Sequence, residues 1–529
     1  LMELTQNTFL PENGIWNSSA NWSKGNVPNV TDRVMIPKNK TVTIHSTIPS
    51  LSALTNDGTI NLNPNYALKT SSNFVNSGVI NLFSDNNNSA VLFVQGSSFG
   101  KVTYSRGGLT ANKWSLIMPP ISGQPIKEFA INSNNDIRVN SDTPKKYAIA
   151  YYDDSQISGN KWQYFDETIS ETLTFSPNKS YALSRATDGS VTFKGTVSTN
   201  DFFNSVNQGQ WNAIGNPFTT YYPANKNNGN SFLTENYLLL DEHNPAIYVW
   251  SSQQEKYTAV TELDSETRSL APGQGFFVKL KEGQNLLPFR KAKRIVKPIS
   301  GNYQFNKKEN ANIQLKLAHK DIVVKMEVKF FEEATSGFDA GLDIGNFAAQ
   351  HLDIFSYLVN DNQKTYTIQS ISSWKKIEIP LGINARNKEI SIKAVRNNIP
   401  QHIDIFLEDR HKNIFTDLSD ESNAYTITIS DDDVTDKGRF YLHIDSSNTL
   451  STTIYDQDNI QIYISDNKIK VKGISQKAEI LMYDILGKVL LQQEIMPNQY
   501  MNLPNYMING VRLVKIKTAH KTITQKVVF

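Results

Sequence analysis

The 529-residue chain contains no cysteine. That excludes a disulfide framework, a thiolate metal site and a cysteine nucleophile. No run of about 18 apolar residues occurs, so no membrane-spanning helix is expected. Charge of one sign is also lacking, with 53 Lys and Arg against 51 Asp and Glu. A nucleic-acid binder of this size carries a basic excess or stripe, and a nucleic-acid partner is not expected here. The densest basic stretch holds Arg290, Lys291, Lys293, Arg294 and Lys297, and reads as a solvated linker. The start, Leu1-Met2-Glu3-Leu4, lacks the basic and long apolar segments of a secretory leader, so an exported form is expected to have its leader removed.

Catalytic signatures are sparse as well. The histidines, His45, His243, His319, His351, His402, His411, His443 and His520, are scattered. There is no paired-histidine metal motif, no Gly-x-Ser-x-Gly elbow and no phosphate-binding Gly-x-x-x-x-Gly-Lys loop. No cofactor and no enzymatic activity are expected. Two acidic clusters offer the oxygen ligands that Ca²⁺ favours. One is Asp339 with Asp343; the other is Asp431, Asp432 and Asp433, which lacks the glycine and distal glutamate of an EF-hand. A plain polar turn accounts for both.

What is present is β-texture. Short runs rich in Ile, Val, Thr, Tyr and Phe alternate with Asn, Asp, Gly, Ser and Pro, the pattern of an all-β, multidomain chain. Helical periodicity is nearly absent; Phe347 to Leu358 is the one short candidate. At roughly 100–200 residues per domain, about three to five domains are expected. Four stretches are delimited: 1–105, 106–295, 298–446 and 451–529.

In the first, Leu54-Thr55-Asn56-Asp57-Gly58-Thr59-Ile60-Asn61-Leu62 recurs 20 residues later as Phe74 to Leu82. That period suits a coil of a short β-solenoid, with Asn and Gly at the corner and Ile and Leu inward. The preceding Trp16 to Ser23 run, with Trp16 and Trp22, resembles the first-coil motif of bacterial surface adhesins, where a tryptophan pair caps the solenoid. The second stretch repeats itself. Lys113-Trp114-Ser115-Leu116-Ile117 parallels Gln210-Trp211-Asn212-Ala213-Ile214, and Ser176-Pro177 parallels Ala271-Pro272. Its second half, with Gly215-Asn216-Pro217, Ile247-Tyr248-Val249-Trp250 and Ala271 to Phe277, resembles a module of Bacteroidetes surface proteins. Gly273 and Gly275 are expected to take positive φ in a tight reversal. The aromatics read as core.

Stretch 298–446 reads as a sandwich, with period-2 strands at Ile322 to Phe330, Thr365 to Ile371, Ile390 to Val395, Ile403 to Glu408 and Tyr425 to Ile429. Its segments Gly337 to Asp343 and Gly438 to Ile444 resemble motifs that precede the sorting domain of type IX secretion cargo. The last stretch reads as a small Ig-like sandwich of about seven strands. Tyr483-Asp484-Ile485-Leu486-Gly487-Lys488-Val489 resembles the hairpin of the type A C-terminal sorting domain. Gly510, Val514, Lys515, Ile516 and Lys526 resemble its terminal pattern. Arg512 departs from it, standing where that family has Tyr or Phe.

The resemblance implies a non-enzymatic surface or secreted protein, serving adhesion or gliding motility. It further implies passage through the periplasm and an outer-membrane translocon barrel, with a shuttle β-barrel protein and a sortase as partners. The tail fits a docking role by charge, with ten Lys or Arg against six Asp or Glu over residues 451–529. Two alternatives stand beside it. One is a carbohydrate-binding protein that stacks a surface glycan on Trp114, Trp162, Trp211 or Trp250. The other is a secreted hydrolase with an unrecognised carboxylate pair.

Overall fold

A computed structural model describes residues 5–528 apart from 158, 227–228, 265, 300–310, 348–350, 361–362, 375, 431–437, 447–459, 466–467, 473, 475, 485–486, 498–499, 505–510 and 519–521. The protein is all-β and multidomain, and its chain divides into two compact units, residues 1–305 and 306–529.

The first unit opens as a parallel β-solenoid. Strands Thr5–Thr8, Asp32–Ile36, Ala53–Asn56, Phe74–Asn76 and Ser98–Phe99 stack in parallel on one face. Asn13–Ile15, Thr41–Ile44, Thr59–Leu62, Val79–Phe83 and Val102–Leu109 form the second face. Ala67–Thr70 and Val91–Val94 form the third. There are thus more coils than the two legible in the sequence. Leu54 pairs with Phe74 and Ile60 with Ile80, each 20 residues on, so these coils look alike. Elsewhere Thr5 pairs with Asp32, 27 on, and Thr41 with Thr59, 18 on, because corner loops differ in length. Alternate residues point inward, and Val34, Leu54, Phe74, Ile60, Ile80 and Leu82 are buried. Inside the corner, Asn56 Nδ2 donates to Asn76 Oδ1 at 2.7 Å, one coil above the other. Trp16 and Trp22 lie edge to face at 4.8 Å, fully buried over the first coil, and Trp22 Nε1 donates to the Trp16 carbonyl.

The far end of the solenoid is closed by the repeat region that succeeds it in the chain. Strand Val102–Leu109 spans residue 105, so the first two stretches of the sequence share a sheet: it pairs in parallel with the coil before it and antiparallel with Gly189–Gly195. On the third face, Leu92 N donates to the Thr219 carbonyl, and Thr219 Oγ1 to the Leu92 carbonyl. Beside them Arg294, 8% exposed, donates to the Val94 and Lys291 carbonyls, with its guanidinium over the rings of Phe93 and Phe218. Arg290 pairs with Glu235 and Asp201, and Lys293 with Glu235. The basic stretch is therefore a clamp and not a solvated linker. Two ring faces and two carbonyls replace the water that the Arg294 cation gives up.

The sequence repeat is also a repeat of fold. Trp114–Ile117, Tyr181–Ser184, Lys146–Tyr152 and Trp162–Asp166 lie in that spatial order in one sheet. Trp211–Gly215, Gly275–Lys279, Ile247–Ser251 and Lys256–Val260 lie in the same order in another. The registers coincide: Trp114 faces Ser184 where Trp211 faces Lys279, and Ala150 faces Ala182 where Tyr248 faces Phe277. Short helices, Ile126–Ile131 and Phe232–Asn236, come after the first strand of each copy. The two sequence turns interlock, since buried Asn216 donates to the Leu270 and Ala271 carbonyls. Gly273 has φ +70° as expected, but Gly275 does not take positive φ. Its requirement is space, because a Cβ there meets Ser180 Oγ at 2.7 Å and Leu116 Cγ at 2.8 Å.

In the second unit, eleven described strands form one mixed sheet from Ile414–Asp417 at one edge to Tyr425–Ile429 at the other. Leu407 and Leu442 share a core with Leu315 and Ile392 from far along that path, so the sheet closes on itself as a sandwich. Residues Asp353–Tyr357, within the helix candidate, are one of its strands. The Gly438 to Ile444 segment supplies a buried bidentate pair. Arg439 Nε and Nη2 donate to the two Asp409 oxygens at 3.1 and 2.9 Å, and the Tyr425 hydroxyl donates to the same carboxylate.

Gly78 sits where consecutive coils meet, and a Cβ there lies 2.1 Å from the Gly58 carbonyl oxygen. Gly78→Ala is expected to push these coils apart and cost about 1–3 kcal/mol, read as a lower urea midpoint with an unchanged slope.

Candidate functional site

Seven described strands make the C-terminal module. Gln461–Ser465, Lys468–Lys472 and Tyr500–Asn502 form one sheet; Val489–Ile495, Ala478–Tyr483, Val511–Lys517 and Thr522–Val528 form the other. Ile462, Ile469, Val471, Ile480, Met482, Ile495, Val514 and Ile516 are among the residues of its own core. Strand Gln461–Ser465 runs beside Ile414–Asp417 of the preceding sandwich, within the same compact unit.

The described residues that carry the resemblance to the sorting domain lie on or beside the four-stranded sheet. The Asp484 carbonyl accepts from Gly487 N at 3.1 Å, closing the turn, and Gly487 takes φ +84°. Asp484 Oδ1 accepts from Lys488 N at 2.9 Å, so the carboxylate holds the returning strand. A short polar acceptor at the first turn position and glycine at the last make this reversal inexpensive. Tyr483 is half-buried, while Gly487, Lys488 and Val489 are exposed. Tyr483 pairs with Val489 on one side and Leu513 on the other. Val514 and Ile516 point into the core, and Lys515 between them is half-buried. Lys526 pairs through its backbone with Leu513. Leu486 and Gly510 lie outside the described residues.

The acidic clusters part company. Asp431, Asp432 and Asp433 lie outside the described residues. Asp343 is completely buried and its two oxygens accept from Ser370 N and Asp339 N at 2.7 and 2.8 Å. Asp339 in turn accepts from Thr335 N and Oγ1. Both carboxylates thus organise a turn by accepting from N–H and O–H donors, an arrangement opposite to that of an ion ligand. Among the described residues no group of three or more His, Asp or Glu is placed to hold a metal ion. Burial, reinforced by the Asp339 charge, raises the Asp343 carboxyl to about 6, against the two backbone donors that favour its charged form.

The four tryptophans of the duplicated region are half-buried in a seam of rings. Tyr152 packs on Trp162 and Trp250 on Tyr257, counterparts by register, and both pairs meet Phe277. Trp114 packs on Tyr164, and Trp211 on Tyr248. These aromatics join the two copies, as core.

A family model described as Domain of unknown function (DUF8693) matches residues 11–444. The chain belongs to this family. The DUF8693 match takes in the solenoid, both copies of the repeat and the large sandwich up to the strand Phe440–Ser446, and the seven-stranded module lies after it. No curated protein matches the chain.

The geometry of these turns sets two expected outcomes. Asp343 binds its proton more tightly folded than unfolded, so its stabilising contribution is complete below pH 3.8 and is lost as pH rises through about 6. Measured against Asp343→Asn, wild-type stability is expected to fall by about 2 kcal/mol between pH 4 and 7 in paired denaturant titrations. Gly487→Ala, forced into the left-handed region, is expected to cost about 1–2 kcal/mol, measured by hydrogen exchange of the C-terminal sheet.

Proposed function

We propose that this DUF8693 protein is a non-enzymatic cargo of type IX secretion, delivered to the cell surface or beyond it. Residues 451–529 are its sorting signal. The observation that carries this reading is the Tyr483–Val489 hairpin: its sequence resembles that of the sorting domain, and its Gly487, Lys488 and Val489 stand exposed on a module with a core of its own. The module lies beyond the DUF8693 match, as an address appended to a functional body does. Its local excess of positive charge favours encounter with an acidic face of the translocon barrel or the shuttle barrel. A sortase acting on the module is the third partner of such a route. The body, a tryptophan-capped solenoid with paired sheets after it, suits adhesion or gliding motility at the surface.

Delivery is tested in a bacterium that runs this pathway. The full chain and a form lacking residues 451–529 are compared by surface protease shaving, together with a fluorescent reporter fused to residues 451–529. The full chain and the reporter are expected outside and the truncated form in the periplasm. Undiminished delivery of the truncated form overturns the reading.

A further inference from the structure

We infer that the cleft beside Gln210 and Trp211 is a binding site for a neutral saccharide. The fold repeat supplies an internal control. In each copy the first strand begins with a tryptophan, and that tryptophan meets the hairpin between the two outer strands of the other copy. In one of these meetings, protein groups fill the seam. Lys113, just before Trp114, pairs with Glu255 of the hairpin. Ser115 Oγ bonds Ser252 Oγ at 3.1 Å, and Trp250 Nε1 and Ser252 Oγ donate to the Trp114 carbonyl.

In the other meeting Gln210 stands where Lys113 stood. Trp211 N donates to Asp154 Oδ2 at 3.0 Å, and Asp154 is further held by Lys161 and Tyr152. Beyond that anchor the seam opens into a cleft of about 440 Å³, lined by Ser155, Val206, Asn207, Gln208, Gln210 and Asn285. Gln210 itself is half-buried in the wall of the cleft.

The lining selects the chemistry. It carries no charge, which disfavours phosphates, carboxylates and amines. Four carboxamides and one hydroxyl present donors and acceptors together, matching the hydroxyls of a sugar ring, each of which donates and accepts. The volume suits one or two rings. The walls are fixed from behind: Val206 N donates to the Asn285 carbonyl at 3.0 Å, Gly283 N to Gln208 Oε1 at 2.9 Å, and Asn212 Nδ2 to the Asn207 and Gln210 carbonyls. The site is independent of the export reading, since binding is measured on purified protein.

The purified full chain is screened on an array of neutral hexose and N-acetylhexosamine oligosaccharides, and the strongest hit is titrated by calorimetry. Gln210→Leu and the exposed-residue variant Asn285→Ala are each expected to raise Kd about tenfold or more, with Tm unchanged. Lys113→Gln, at the filled counterpart, is expected to leave Kd as it is. No binding by any of these saccharides at ~10 mM, or a Kd indifferent to both cleft variants, overturns the assignment.

Discussion

Parallel coils leave a row of unpaired N–H and C=O groups wherever the stack stops, and the first unit is arranged around satisfying that row. On one face the ladder continues into Gly189–Gly195 by reversing direction. On another, the Leu92–Thr219 bonds and the Arg294 guanidinium occupy the Leu92 amide and the Leu92 and Val94 carbonyls. The first face ends in the two-residue strand Ser98–Phe99, too short to recruit another chain readily. The repeat region is therefore the stopper of the solenoid as well as a body in its own right.

Duplication gave that stopper two equivalent seams, and their side chains have diverged. At one, Lys113 and Glu255 neutralise each other and two serines meet. At the other, the carboxamide of Gln210 stands where the ammonium is, and the hairpin reaches Trp211 through the Asp154 carboxylate. Conserved backbone geometry with altered side chains is how a fold separates holding itself together from holding something else.

Much of this fold is legible in the residues alone. The strands Ile322–Phe330, Thr365–Ile371 and Tyr425–Ile429 fall where alternation places them, because one face of each is buried and the other solvated. The Asp484–Gly487 turn is readable because its chemistry is local. What escapes depends on distant partners. Arg294 looks like one of a basic run until Phe93 and Phe218 enclose it. The coil at Thr41 pairs with a segment 18 residues on and so hides from a period of 20. Gln210 acquires meaning only beside Lys113, its counterpart by register.

The closure also dictates an order of assembly. Neighbouring coils meet across short loops, as Asn56 and Asn76 do at a separation of 20 residues. The bond from Arg294 to Val94 spans 200. Loop-closure entropy favours the first kind of contact early and the second late. A chain threaded from its N-terminus can wind its coils at once, yet it keeps a raw, adhesive rim until residue 294 has arrived.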